Sequence, residues 1–95
     1  MRNARLATMS PPTSGTFAVR VNGKLAEEFG TSRISVEVDQ PATIQDILNE
    51  IKNLYPQSSE TILEAIPFVS GRHRGTATEI QIGQEVTLLM PAAGG

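Results

Sequence analysis

Val86-Thr87-Leu88-Leu89-Met90-Pro91-Ala92-Ala93-Gly94-Gly95 is the stretch on which the architecture turns. Residues 86–90 form an apolar run with little alternation, the pattern of a strand covered by a helix and flanked by neighbouring strands. Pro91 cannot continue a central ladder, because it lacks the N–H donor. Beyond it only Ala92, Ala93, Gly94 and Gly95 follow, a thread with almost no side chains. Five residues from Pro91 onward reach at most roughly 16–18 Å when extended. Such a thread suits passage through a narrow channel, with its backbone brought close to another protein's groups.

Upstream, Phe17, Val19 and Val21 alternate with Ala18 and Arg20, and Ile34, Val36 and Val38 alternate with Ser35 and Glu37. Both segments read as half-buried strands, most simply antiparallel to each other. Asn22-Gly23 is a turn signal, and residues 24–30 read as a wide connection or a helical turn. The clearest helix opens at Thr43, an N-cap with Asp46 in the capping-box position. Ile44, Ile47, Leu48, Ile51 and Leu54 make one apolar stripe, and Pro56 ends the helix near Tyr55. Ser58-Ser59 opens a second, short helical turn through Ile62, Leu63 and Ile66. Phe68-Val69 is a short strand, with Pro67 marking an edge or a strand start. Gly71-Arg72-His73-Arg74-Gly75 is a polar turn, and Ile80 and Ile82 form another short strand. With the most apolar strand last, a helix crossing one face lets that strand lie centrally and parallel to the first. The expected class is therefore α+β, a mixed four- to five-stranded sheet packed on one main helix.

Ninety-five residues provide one domain. Residues 1–15, which include Pro11-Pro12-Thr13-Ser14-Gly15, read as a disordered leader, 16–90 as the folded domain, and 91–95 as a flexible Gly-Gly tail. Hydrophobic residues make up 39% and aromatics 4%, so Ile, Leu and Val must build the core. There is no Cys, which excludes disulfides, thiolate metal sites, iron–sulfur clusters and Cys nucleophiles. A single His among scattered carboxylates makes no zinc site, so no metal ligands are assigned. A net charge of -2 gives no bulk field for nucleic acid. No apolar stretch approaches the ~20 residues of a membrane span, and Arg2 and Arg5 precede no signal-peptide core. A cytoplasmic protein is expected.

The acidic residues fall singly or as neighbours, as in Glu27-Glu28, and suggest solubility rather than acid–base chemistry. No intrinsic catalytic residue is assigned. The reactive group is then the terminal carboxylate of Gly95, ionised at neutral pH and a poor electrophile. Joining it to sulfur or to an amine requires activation, for example as an acyl-adenylate. The chain has neither a GxxxxGK[ST] phosphate loop nor GxGxxG. It is therefore expected to be a substrate and carrier that binds no cofactor, with ATP used by an activating partner.

Phe68-Val69-Ser70-Gly71-Arg72, followed by the run from Ile80 through Val86-Thr87-Leu88-Leu89-Met90-Pro91 to Gly94-Gly95, carries a more specific signal. It resembles the ubiquitin-like β-grasp sulfur carriers (the MoaD/ThiS-like family), which include the molybdopterin synthase small subunit and the related archaeal ubiquitin-like modifiers. The resemblance covers about residues 16–95 and is most specific over the last twenty. Ser70 stands where the family usually has Asn, Gln84 interrupts its acidic turn, and Met90 takes one of its two proline positions. The resemblance implies a β-grasp fold and a Gly95 that is adenylated and converted to a thiocarboxylate for sulfur transfer, with molybdopterin formation the favoured destination. It implies as partners an adenylating enzyme of the ubiquitin-activating type, a sulfur donor, and an acceptor synthase such as the molybdopterin synthase large subunit. Gly94, Ala93, Ala92 and Pro91 would thread into the partner, while Phe68, Leu89, Met90, Arg72 and Arg74 would dock against it. His73 reads as part of a solvated turn. The competing readings are a modifier conjugated to lysines through Gly95, and an interaction domain with no chemistry at its end.

Overall fold

The computed structural model describes residues 14–91. In chain order these form β1 (Ser14–Val21), α1 (Gly23–Phe29), β2 (Arg33–Asp39), β3 (Ala42–Thr43), α2 (Ile44–Leu54), a 3-10 turn (Pro56–Ser58) and α3 (Ser59–Glu64). Then follow β4 (Ile66–Val69), β5 (Arg72–His73), β6 (Glu79–Ile80) and β7 (Val86–Leu89). The main sheet has the order β2-β1-β7-β4-β5, and β3 with β6 makes a separate two-stranded ribbon. β1 runs antiparallel to β2 and parallel to β7, and β4 is antiparallel to both β7 and β5. The last strand thus lies centrally beside the first, as the apolar run predicts. This is the β-grasp arrangement.

Helix α2 is specified locally. Thr43 Oγ1 accepts from Asp46 N at 3.2 Å while Thr43 N donates to the Asp46 carboxylate at 2.9 Å, a complete capping box. Ile44, Ile47, Leu48 and Ile51 are buried against the sheet. Leu54 departs from the expected stripe: it is 51% exposed. It occupies the last helical position, where the next residue, Tyr55, takes the inward role and stacks on Phe29 with ring centroids 4.0 Å apart. That stack ties the end of α2 to α1.

Other differences from the expected boundaries have local causes. β1 begins at Ser14, two residues before the alternation becomes visible, and pairs with Asp39. Gly15, the buried residue of that extension, has no side chain to signal it. Residues 1–13 lie outside the described residues. Ile66 joins β4 rather than the short helix, since a residue before proline is pushed away from the α region. Leu63 is 71% exposed, so only Ile62 of the short helix enters the core. Pro67 lies in a strand with neighbours on both sides, and its carbonyl accepts from Arg74 N at 3.1 Å. Ile82 falls outside β6 and is exposed. β6 pairs with β3, not with the main sheet.

Glu28 links α1 to the segment after α2. Thr61 Oγ1 donates to its carboxylate at 3.0 Å. Ser58, and secondarily Thr61, hold the Glu28 carboxyl below its ordinary value, Lys24 adds to the shift, and burial opposes it. Thr61 hydrogen-bonds the carboxylate directly, whereas Ser58 Oγ is enclosed and makes no hydrogen bond among the described residues.

Two measurements test this packing. Ile47→Ala or Ile51→Ala is expected to lower unfolding free energy by about 2–5 kcal/mol in denaturant melts, since both side chains are fully buried. Because the folded Glu28 carboxyl titrates below its unfolded value, its contribution is complete above about 4.5 and is lost as pH falls through the lower folded value. Thr61→Val should therefore flatten the acid limb of a stability-versus-pH curve below that point. An unchanged acid limb would remove the Thr61 hydrogen bond from the account.

Candidate functional site

The sheet has two faces, and strand registers sort them. Phe17, Val19, Val21, Ile34, Val36, Val69, Val86 and Leu88 point into the core, all buried. The alternate positions form the opposite face. One row crosses all five strands of the main sheet: Arg33 opposite Arg20, Arg20 beside Thr87, Thr87 opposite Phe68, and Phe68 opposite His73. Ile66 opposite Leu89 adds to the row's apolar end. Phe68, Thr87 and Leu89 are half-buried, and Ile66 is exposed. The Phe68 and His73 rings lie 5.7 Å apart in a tilted arrangement.

The other end of the row is charged. Arg20 and Arg33 are cross-strand partners, a pairing of like charges that is unfavourable by itself. Glu85, in the turn before β7, resolves it: its Oε2 accepts from Arg20 Nε at 3.1 Å and lies 3.7 Å from Arg33 Nη2. All three side chains are well solvated, so the cluster fixes register and charge pattern more than it adds stability. The face therefore runs from an apolar end at Ile66, Phe68 and Leu89 to a polar end where Arg20 and Arg33 share the one carboxylate of Glu85 and positive charge is left over.

The expected docking residues do not all share this face. Phe68 and Leu89 do. Arg72 is opposite Val69, whose side chain is buried, so it belongs to the other side of the sheet edge, where it is exposed. Arg74 follows β5 and is exposed beside Pro67. Met90 packs against the core cluster rather than joining the open face. His73, expected to be plain solvated turn, stands beside Phe68 on the apolar end. The β4–β5 turn is tight because both central residues have positive φ, 53° at Ser70 and 79° at Gly71, the geometry that suits a two-residue hairpin. Sequence reading missed Ile66, because it was assigned to a helix, and Arg20, Arg33 and Glu85, because their association depends on register.

Pro91 is the last described residue and is exposed. The threading residues Ala92, Ala93 and Gly94, and Gly95 itself, lie outside the described residues. Among the described residues no cluster of three His, Cys, Asp or Glu side chains could hold a metal. No helix there is long and apolar enough to cross a membrane. An open depression over the β3–β6 ribbon, lined by Gln40, Pro41, Glu79, Ile80 and Gln81, offers one carboxylate and no base or nucleophile beside it.

Comparison with known proteins gives a consistent picture at the level of fold. No protein-family model matches the chain, and no curated protein matches it in sequence. Solved structures do. SAMP1 from Haloferax volcanii is 22% identical with a TM-score of 0.77, over 85% of this chain and 100% of that one. A protein described as a molybdopterin converting factor subunit 1, from Pyrococcus furiosus, is 19% identical with a TM-score of 0.73, over 82% of this chain and 99% of its own. The small archaeal modifier protein 1 from Methanosarcina acetivorans is 18% identical with a TM-score of 0.73, over 87% and 99%. The chain has the β-grasp fold of these small modifier and converting-factor proteins, and the resemblance drawn from its C-terminal residues holds for the fold.

The division of faces along β7 has a direct test. Leu88→Ala is expected to cost about 2–5 kcal/mol in unfolding free energy, as a fully buried side chain leaves a cavity. Leu89→Ala, the same change one residue on, is expected to cost under about 1 kcal/mol. Equal costs would place both leucines in the core.

Proposed function

We propose that this chain is a ubiquitin-like sulfur carrier whose C-terminal Gly95 is adenylated and then converted to a thiocarboxylate. The observation that carries this reading is the position of β7: a strand at the centre of the sheet ends at Leu89, and the chain is exposed two residues later at Pro91, so the tail leaves from the central strand. Support comes also from the fold shared with a converting-factor subunit and with small archaeal modifiers. The Gly95 carboxylate attacks the α-phosphorus of ATP held by the activating enzyme, and pyrophosphate leaves. Sulfide-level sulfur from a donor then attacks the acyl carbon, the C–O bond to the phosphate breaks, and AMP leaves. The body docks through the apolar end of the open face, Phe68, Leu89 and Ile66, while residues 91–95 enter the active site. Formation of molybdopterin, with a synthase large subunit as acceptor, is the proposed destination.

Conjugation to lysine amines is the second reading, favoured by the modifiers among the similar structures. It uses the same activation and differs only in the final nucleophile.

Removing Gly95, or fusing a tag after it, is expected to abolish ATP–pyrophosphate exchange with the cognate activating enzyme while leaving unfolding unchanged. Gly94→Val should impair exchange, since a β-branched residue stiffens and widens the thread. Undiminished exchange without Gly95 would refute the proposal. Protein isolated from its native cells should include a fraction heavier by about 16 Da, the same nominal gain as a methionine sulfoxide. The gain must therefore be localised to the C-terminal peptide with Met90 excluded by fragmentation. Gly95 found joined to lysines, with no thiocarboxylate, would select the modifier reading.

A further inference from the structure

The residue after β1 is used in an unexpected way. Asn22 is the N-cap of α1, with extended backbone (φ -141°, ψ 179°), yet its side chain makes no cap hydrogen bond. An Asn at this position ordinarily accepts from the N–H of the second or third helical residue. Here its Oδ1 instead accepts from the backbone N–H of Met90 at 2.8 Å, 68 residues away in sequence. The parallel pairing of β1 with β7 runs from Val19–Val86 to Val21–Leu88. Asn22 therefore extends the hold of β1 on the last strand beyond their paired residues, with a side chain in place of the backbone.

Its neighbour completes the contact. Gly23 has φ +55°, and a Cβ placed there would stand 3.3 Å from Met90 Cβ and 3.6 Å from Met90 Cγ. Glycine at 23 thus serves both the left-handed backbone and the close approach of Met90. Met90 in turn packs against the core cluster and is half-buried. One residue later the chain reaches the exposed Pro91. Two independent contacts, a hydrogen bond and a steric fit, converge on the last residue before the tail.

We infer that Asn22 and Gly23 form a seat for Met90 that fixes where the C-terminal tail leaves the body, making Asn22 a positioning residue for activation of the terminus. This rests on the proposed carrier function. A helix that gives up its own cap to hold a distant backbone group departs from local preference, the kind of departure expected where function sets the requirement. Adenylation needs the terminal carboxylate aligned with ATP while the body is docked outside, and small misplacement of a reacting group is costly in rate. A seat at Met90 fixes the point from which residues 91–95 set out and limits the directions open to them. It acts on alignment after docking, so its effect belongs in kcat rather than KM.

The test uses the full chain with three substitutions. Asn22→Ala removes both the acceptor and any cap. Asn22→Ser keeps a capping hydroxyl but places it one bond nearer the backbone, short of Met90. Asn22→Asp keeps both the reach and the acceptor. Hydrogen exchange of the Met90 amide is expected to accelerate about 5- to 10-fold in the Ala and Ser variants and to stay near wild type in the Asp variant, in line with loss of one net hydrogen bond. With the activating enzyme, the Ala and Ser variants should lose about tenfold in kcat of ATP–pyrophosphate exchange with KM little changed, and Asp should restore it. Val38→Ala, a half-buried site away from the tail, serves as a destabilised control that should keep full kcat. Unchanged Met90 exchange in Asn22→Ala overturns the seat. Faster Met90 exchange with unchanged kcat overturns the positioning role, as does loss of kcat in Val38→Ala equal to that in Asn22→Ala. Wild-type protein that no activating enzyme adenylates would refute the carrier function and with it the positioning role, while Met90 exchange would still decide the seat.

Discussion

The parallel pairing of β1 with β7 is the contact on which the rest of the molecule depends. It joins residues 67 apart in sequence, Val19 to Val86, and so brings the two ends of the domain together at the sheet centre. Closing a loop of that length costs roughly 4 kcal/mol in chain entropy plus a constant. Four side chains on the pairing, Val19, Val21, Val86 and Leu88, are almost wholly removed from water. At about 1.5–3 kcal/mol for each buried side chain, they more than offset the closure. Once β7 is held, β4 gains a partner on its far side, β5 can follow through its two-residue turn, and α2 has a continuous apolar floor.

What was legible in the sequence follows from how local each instruction is. The capping box of Thr43 and Asp46, the stripe from Ile44 to Ile51, and the alternation of Phe17, Val19 and Val21 are all written within a few residues, and each element formed where they indicate. The central place of β7 was legible because a nearly unbroken apolar run has few other homes. Leu54, Leu63 and Ile82 misled for one shared reason. Periodicity says which way a side chain points along its own element, but not whether anything stands opposite. Near the ends of α2 and α3, and beyond the two-residue β6, nothing large enough does.

The open face was harder to see because registers create it. Arg20, Thr87, Phe68 and His73 come from four segments of chain and become neighbours only when three separate pairings fall into step. Glu85 looked like the remnant of an acidic turn, and only the pairing of Arg20 with Arg33 shows why a carboxylate is wanted there. Asn22 is the extreme case. Its sequence context reads as a turn signal, which is local, whereas its side chain is spent on a backbone group at the other end of the domain.

β7 carries two demands that strand geometry makes compatible. A strand shows alternate residues to opposite sides, so Val86 and Leu88 can be committed to the core while Thr87 and Leu89 remain on the open face. The same alternation would place the next side chain, Met90, on the core side, where it is found packed against the buried cluster. Burial thus continues up to Met90, the last residue before Pro91, and Pro91 itself is exposed. A helix in the same position would spread its buried stripe over several turns and would blur that boundary. Placing the last strand at the sheet centre defines, to within one residue, where the packed body gives way to exposed chain at Pro91.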